Sequence, residues 1–331
     1  MRIASFTVIY ETTSQTKMSK RVRQILAHSF WLLSDGGLKL KFGDFGKCLF
    51  IAMLLSGILS AACIAESEPN AEAETINIAW DESWENASFS NIHTDDAILF
   101  ISQAEDKKGI VVGVNAGHGT SGGTDENNKT YCHPDMSPKT TGGSTAEGEI
   151  TATAVSVGMQ FNDGTPEATV TLSMALILRD KLLEKGYDVL MLRSDEDVQL
   201  DNVARTILCN YNANCHIALH WDGDSCDYDK GAYFASVPDA IKYMEPVASV
   251  WEEDNRLGQC LIEGLADQGL AIFDIGSMDM DLTQTSYSSV PSVDIELGNQ
   301  CSDHSEEMLN LQADGLLEGI ESFFFPNDLA H

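Results

Sequence analysis

The sequence has few basic residues for its length. Its 331 residues include 20 lysines and arginines against 51 aspartates and glutamates, a formal net charge of −31 at pH 7. From residue 64 onward the imbalance grows, with 12 basic residues against 48 acidic ones. Because nucleic-acid phosphates require a basic patch, this charge argues against nucleic acid as a partner.

Two further absences narrow the class of protein. No Cys-x-x-Cys motif occurs among the eight cysteines, which argues against a thiolate metal site. The apolar run of residues 49–62 is too short for a permanent membrane-spanning helix. Six cysteines follow residue 63, and this even number permits disulfides in an exported chain, although it does not specify the pairing.

The apolar run of residues 49–62 is typical of the hydrophobic region of a signal peptide, because it follows three lysines and ends in small residues. Small residues directly before Cys63 resemble a bacterial lipoprotein cleavage site, which would leave Cys63 as a lipidated first residue. Ordinary secretory cleavage near Ala62 or Ala65 is the alternative. We therefore expect an extracytoplasmic protein of the bacterial cell envelope, anchored by lipid to the outer face of the cytoplasmic membrane.

These observations divide the chain into three parts. Residues 1–63 are interpreted as an export signal of lipoprotein type. Residues 1–47 show no sustained periodicity, which is consistent with a translation start assigned too far upstream. Residues 64–106 begin with acidic, small and proline residues, which predicts an acidic tether and flanking segment. Residues 107–326 form the predicted catalytic domain, and we expect a monomer.

Within the domain, apolar strand patterns alternate with helical ones. Predicted strands cover residues 110–114, 187–192, 216–220, 231–236 and 293–297, and predicted helices start at Glu167 and cover 201–211, 247–268 and 305–324. This alternation predicts an α/β fold with a single open, mostly parallel twisted sheet flanked by helices on both faces. Residues 120–164 show no clear element, and we interpret them as either a substrate-selecting lid or a neutral insertion.

Two candidate ligands stand at the first two element boundaries. His118 lies between Gly117 and Gly119, directly after a predicted strand, so its imidazole is left unshielded. Glu167 follows Thr165 and Pro166, a helix-capping pattern that places the glutamate in the first turn of a helix. Each has an ordinary structural explanation, since turn histidines are common and the helix dipole favours a carboxylate at this position.

Two more candidates stand at the ends of later strands. His220 ends the strand 216–220, and alternation places His216 on the same face, so either could be a ligand. We favour His220, because open α/β sheets gather their ligands at the carboxyl ends of the strands. Glu296 lies within an otherwise apolar strand, where a carboxylate is costly unless it is paired or reactive. Asp294 shares its face and is the rival for that role.

Taken together, these residues resemble the zinc-dependent N-acetylmuramoyl-L-alanine amidases of bacterial cell walls. The resemblance covers about residues 109–325 and is most specific in four stretches: Val114 to Gly119, Glu167 to Leu192, His216 to His220 and Val293 to Gly298. It implies a zinc cofactor bound by His118, Glu167 and His220, with Glu296 as the catalytic carboxylate. It also implies peptidoglycan as substrate, cleaved between N-acetylmuramic acid and L-alanine.

Two departures from the family pattern affect the predicted site. The family usually has an aspartate where this chain has Asn115, which removes a carboxylate from beneath the first ligand and predicts weaker metal binding. Trp221 and Asp222 replace the small residue and asparagine that usually follow the second histidine, which predicts a different cleft shape. The alternative functions are a non-catalytic peptidoglycan-binding lipoprotein and a zinc carboxypeptidase that trims stem peptides.

Overall fold

The structure, a computed structural model, describes residues 74–224 and 226–326. The predicted export signal with Cys63, and residues 64–73 of the predicted tether, lie outside the described residues. In the part of the chain that is described, no helix is both long and apolar enough to cross a membrane.

Ten strands alternate with five α-helices along the described chain. The strands are β1 (Glu74–Ile78), β2 (Ala97–Ile101), β3 (Val111–Ala116), β4 (Thr130–Tyr131), β5 (Thr151–Ala152), β6 (Asp188–Met191), β7 (Cys215–Asp222), β8 (Ala232–Ser236), β9 (Ile272–Asp279) and β10 (Ser292–Asn299). The helices are α1 (Glu167–Glu184), α2 (Asn202–Asn212), α3 (Val247–Asp267), α4 (Thr283–Tyr287) and α5 (Glu306–Phe324). Two 3₁₀ turns cover Ala87–Phe89 and Glu126–Asn128.

Eight of the strands form one mixed sheet in the order β1-β2-β6-β3-β7-β10-β8-β9. The four central strands, β6, β3, β7 and β10, are parallel neighbours. Antiparallel pairing occurs at β1 with β2, β2 with β6, and β10 with β8. The predicted α/β fold with a mostly parallel sheet is confirmed, and its parallel centre brings the carboxyl ends of β3, β7 and β10 to one edge.

Helices cover both faces of this sheet, as predicted. In β6, Val189 and Met191 belong to the larger apolar core, which also contains the buried faces of α1, α3 and α5. Leu190, between them, belongs to the second core with residues of α2. Because successive strand residues point to opposite faces, the two cores lie on opposite sides of the sheet.

Four local features differ from the sequence-based prediction. Strands β1 and β2, which were not predicted, lie within residues 64–106 and extend the main sheet. Helix α1 begins at Glu167 with Pro166 as its N-cap, and no side chain caps it, so the predicted capping by Thr165 is wrong. Strand β9 was not predicted, because its inner residues include acidic side chains and Gly276 at φ 83°. Residues 120–164 contain the short β4–β5 pair and a 3₁₀ turn rather than no element at all.

Candidate metal centre and active site

The side chains of His118, Glu167 and His220 converge on one point at the carboxyl edge of the sheet. His118 Nε2 lies 2.8 Å from Glu167 Oε1 and 3.0 Å from His220 Nδ1. His220 Nδ1 lies 3.1 Å from the same glutamate oxygen. The turn after β3, the first turn of α1 and strand β7 therefore provide one ligand atom each, all within 4.8 Å of one another.

Main-chain groups orient these side chains from outside the cluster. His118 Nδ1 lies 2.9 Å from the carbonyl oxygen of Ser156, and donation to that acceptor leaves the Nε2 lone pair facing the other two ligands. The backbone N–H of Met159 donates to Glu167 Oε2 at 2.7 Å, and that of Trp221 donates to Glu167 Oε1 at 3.0 Å. The glutamate thus keeps one fixed orientation.

The two glycines beside His118 are required for different reasons. A Cβ at Gly117 would overlap the ring of His220, so this glycine lets the second histidine approach the first. Gly119 has φ 70°, and a Cβ there would lie 2.7 Å from Cζ of Arg193. His118 itself has φ 65°, a left-handed conformation that costs a non-glycine residue roughly 1–2 kcal/mol.

Two buried arginines lie beneath the His118 loop and were missed in the sequence analysis. Arg193 is 1% exposed and Arg205 is fully buried. Arg205 donates to the carbonyl oxygen of His118 at 2.7 Å, and Arg193 donates to that of Gly117 at 3.0 Å. Burial lowers the pKa of Arg193 to about 10 and, together with repulsion from Arg193, that of Arg205 to about 9, so both remain cations at neutral pH.

Glu296 lies beside the cluster on β10, where it is the register partner of His220 on β7. Its Oε2 is buried and has no hydrogen-bond partner among the described residues. The rival Asp294 lies two residues earlier on the same strand, with Oδ2 3.6 Å from His220 Nε2. Both predicted candidates are therefore next to the second histidine, and only Glu296 has an uncommitted buried oxygen.

The close packing of carboxylates and imidazoles shifts the pKa values of Glu167, His220 and Glu296. Burial alone would raise the pKa of Glu167, but hydrogen bonds from His118 and His220 outweigh burial and hold this pKa well below its ordinary value. Burial would lower the pKa of His220, but the charges of Asp294 and Glu167 raise it to about 10. Burial raises the pKa of Glu296 well above its ordinary value; Asp294 and Glu167 add to this rise, and His220 opposes it.

His216, the alternative to His220, is not part of the cluster. It is fully buried, and its Nδ1 lies 3.4 Å from Ser292 Oγ while its Nε2 has no described partner. Burial lowers the pKa of His216 to about 3, with Arg205 adding to the effect, so the ring is neutral. The structure therefore brings His220, not His216, to the other two candidate ligands.

The 120–164 segment forms part of the site. Gly158 lies so close to the ligands that a Cβ there would stand 2.7 Å from Glu167 Oε2 and from His118 Cδ2. The segment is fastened at its other end by His133, whose Nε2 lies 2.8 Å from Asp281 Oδ1. His133 is fully buried in this network. Its anchoring role depends on Asp281, 148 residues away in sequence.

Two other polar residues, His304 and Asp222, form contacts outside the ligand cluster. His304 stacks on Phe161 with ring centroids 4.3 Å apart, and its Nε2 lies 3.2 Å from Asp163 Oδ2. Asp222, which follows the second histidine, bonds to Lys230 and accepts from the Tyr233 hydroxyl at 2.8 Å. All six cysteines of the described part are free thiols, so the disulfides that their number permitted are not formed there.

Comparison with known proteins identifies the family. The sequence profile of the N-acetylmuramoyl-L-alanine amidases matches residues 112–320, well over half of the chain. The chain belongs to this family. As an N-acetylmuramoyl-L-alanine amidase it is a hydrolase of peptidoglycan, and the recognition made from the four sequence stretches is confirmed. A search of curated proteins found no match.

Solved structures share its fold. The apo form of the N-acetylmuramyl-L-alanine amidase Ami1 from Mycobacterium abscessus has 23% sequence identity and a TM-score of 0.52, and the alignment covers 65% of this chain and 99% of that one. Ami1 from Mycobacterium smegmatis has 18% identity and a TM-score of 0.53, over 66% of this chain and 98% of that one. At these identities the likeness concerns the fold.

The three converging residues fit a zinc ion. Two imidazole nitrogens and one carboxylate oxygen are the ligand set of one class of catalytic zinc site. The orienting bond from His118 to the Ser156 carbonyl is the outer contact that a metal-bound histidine usually makes. Two nitrogen atoms and a carboxylate oxygen lie about 3 Å apart around one point, so a single cation can bind all three.

Proposed function

We propose that His118, Glu167 and His220 hold the zinc ion of this amidase, and that Glu296 is its catalytic carboxylate. The proposal is carried by the convergence of the three ligand atoms within 4.8 Å, with Glu296 in register beside His220. The bond cleaved is the amide between N-acetylmuramic acid and the L-alanine of the stem peptide. We take residues 107–326 as the catalytic domain, to whose sheet β1 and β2 add two strands from residues 74–101.

When bound, zinc supplies a Lewis acid that polarises the scissile carbonyl and lowers the pKa of water. Glu167 contributes one oxygen to the ligand set while its second oxygen is held by the Met159 N–H. His118 presents Nε2, because its Nδ1 is engaged by the Ser156 carbonyl. These two restraints keep the ligand side chains in place before substrate arrives, which reduces the reorganisation needed during the reaction.

Glu296 would accept a proton from the attacking water and deliver it to the departing amide nitrogen. Its buried Oε2 has no described partner, so no structural hydrogen bond engages this oxygen. Proton transfer by a positioned carboxylate contributes about 10²- to 10⁴-fold to such rates. Asp294 is poorly placed for the same role, because its carboxylate faces His220 Nε2.

A cell-wall substrate requires the enzyme to act outside the cytoplasm. Export through residues 1–63 and attachment by a lipidated Cys63 would supply both the location and retention at the outer face of the membrane. Intact-mass analysis of the membrane-extracted protein tests this part, because lipidation adds acyl mass at Cys63. Release of the Cys63→Ala variant into the medium is expected, and membrane retention of that variant would contradict the anchor.

The catalytic assignment is tested with the purified protein, its Glu296→Gln variant and its Asp294→Asn variant. We expect about one zinc per chain in all three by elemental mass spectrometry. Peptidoglycan digestion should release new L-alanine amino termini with the wild type, and the Glu296→Gln variant should be slower by about 10²- to 10⁴-fold. Full activity of Glu296→Gln together with loss in Asp294→Asn would reverse the two roles. Absence of zinc and of cleavage in the wild type would refute the proposal.

A further inference from the structure

The loop that carries His118 needs support that the sheet does not provide. The last ladder-type bond of β3 runs from the Gly117 N–H to the Leu219 carbonyl, at 3.2 Å. Beyond it, His118 and Gly119 both have left-handed φ angles, 65° and 70°. The chain therefore turns away from its neighbouring strand, and the carbonyl groups of the turn must find other partners.

Two guanidinium groups supply those partners. Arg205 uses every donor that it has: to Leu200 O, Asn115 Oδ1, Ala116 O, His118 O and Thr120 Oγ1, at 2.7–3.1 Å. Arg193 donates to Ala116 O, Asp195 O, Gly117 O, Ala168 O and Thr171 Oγ1, at 2.8–3.1 Å. Three consecutive carbonyls, those of residues 116 to 118, are thus fixed by two side chains from elsewhere in the fold.

These contacts are unusual for buried charges. The half-buried Arg179 and the exposed Arg256 pair with carboxylates. Neither Arg193 nor Arg205 forms an ion pair with any described carboxylate, although both are buried. Burying two unpaired cations is costly, and a fold that needed only packing at these positions could use apolar residues. What the arginines specifically provide is a rigid fork of donors that matches several acceptors at once.

We propose that Arg193 and Arg205 are positioning residues for the metal ligand His118. They hold the main chain of residues 116–118 so that the His118 ring meets Glu167 and His220 in its strained left-handed conformation. They act through the backbone and touch neither substrate nor metal. The inference rests on the proposed zinc site. It adds to that site two arginines that act from behind the His118 loop and not from the cleft.

The test replaces each arginine by lysine, which keeps the positive charge but removes the planar guanidinium with its five N–H donors. The Arg205→Lys and Arg193→Lys variants of the full chain are compared with Arg256→Lys, the same change at an exposed arginine, and with Leu265→Ala, a core change in α3. The zinc dissociation constant is measured by competition with a chromogenic chelator. The unfolding midpoint of the metal-free protein is measured in parallel.

We expect Arg205→Lys to raise the zinc dissociation constant about 10- to 100-fold, the usual effect of losing an outer support of a metal ligand. Arg193→Lys should act in the same direction. The Leu265→Ala control should lower the unfolding midpoint while leaving zinc affinity within about twofold, because it removes core packing but no ligand support. A lysine variant that unfolds as easily as Leu265→Ala and binds zinc as the wild type does would overturn the proposal.

Two further measurements cover the case in which the lysine variants fold poorly or the zinc site itself is wrong. Thr171→Val removes one acceptor of Arg193 together with the Thr171 bond to the Gly117 carbonyl, with little change in volume. It should raise the zinc dissociation constant a few-fold, and an unchanged constant would count against the proposal. In metal-free protein, histidine ring NMR signals of His118 should shift in Arg205→Lys while those of His220 do not. Equal shifts of both rings, or none, would refute positioning even if no zinc binds.

Discussion

His118 and His220 each present one imidazole nitrogen to the same point, Nε2 and Nδ1 respectively, yet the chain supports them in different ways. His220 lies within β7, in register with Glu296 of β10 and directly after Leu219, the last β7 residue paired with β3, so the sheet ladder fixes its backbone. His118 lies two residues beyond the end of β3 in a left-handed conformation, and side chains from other elements fix it. Two ligands with the same chemistry can therefore differ in how many distant residues they depend on.

Removing either histidine should have the largest effect on zinc binding and activity. The two removals test whether both histidines are metal ligands. His118→Ala and His220→Ala each leave two protein ligands, so zinc affinity and peptidoglycan cleavage should both fall by more than the roughly 10- to 100-fold typical of an outer-support loss. Elemental analysis after dialysis and assay of released L-alanine termini measure both. A His220→Ala variant that retains zinc and activity would show that the second ligand was assigned wrongly.

Gly158 offers a way to disturb the ligands from the cleft side. In Gly158→Ala the new methyl group would lie 2.7 Å from Glu167 Oε2 and His118 Cδ2, so the ligands must move and zinc affinity should fall about 10- to 100-fold. Gly148→Ala is the matched control, since Gly148 has φ 89° in the same segment and nothing within 4 Å of an added Cβ. Equal zinc affinity in the two variants would mean that backbone strain, not contact with the ligands, decides the effect.

Asn115→Asp tests the support that Arg205 gives to the His118 loop. Asn115 Oδ1 accepts from Arg205 at 3.0 Å, and a carboxylate there would pair with a cation that has no described counter-ion. We expect the free energy of unfolding at pH 7 to rise by about 2 kcal/mol, the scale of hydrogen bonds to charged groups. Gln103→Glu, an exposed change with the same added charge, should be nearly neutral.

The acid dependence of Asn115→Asp identifies the source of its gain. Pairing with Arg205 would depress the pKa of the introduced carboxyl below its unfolded value of about 3.9. A depressed folded-state pKa gives stability that is present above about pH 4 and is lost as the pH falls through the folded-state pKa. Urea titrations should therefore show a clearly smaller gain at pH 3 than at pH 7, because part of the gain is already lost at pH 3. A gain of the same size at both pH values would contradict an ion pair.

The comparison also shows what the sequence could and could not predict. His220 ends an apolar run and Glu296 lies within one. Strand periodicity and a parallel sheet therefore predict that the two residues are neighbours, and they are register partners in the structure. Arg193 could not be predicted, because its acceptor Gly117 is 76 residues away and nothing in its own neighbourhood marks it as buried. Gly158 was hidden for the same reason, since its importance lies in ligands reached only through the fold.

Strands at the margins of the sheet were harder to predict than those at its centre. Central strands such as β3 are covered on both faces and consist of apolar residues, which gives a strong local signal. Strand β9 lies at an edge, and acidic residues and two positive-φ positions interrupt its apolar pattern. The site could be predicted because it is built on the central strands.

The smallest predicted effect separates the two histidines by sign. At His118, glycine should make the metal-free protein more stable than alanine by about 1 kcal/mol, because glycine adopts the left-handed conformation without strain. At His220, inside a regular strand, glycine should be less stable than alanine by roughly 0.5–1 kcal/mol. Each pair removes the same imidazole, so loss of side-chain contacts cancels within the pair. Chemical denaturation of the four metal-free variants measures both differences. If alanine were more stable than glycine at both positions, the His118 turn would relax once its imidazole is gone. The backbone strain would then come from the ligand cluster and not from the loop held by the two arginines.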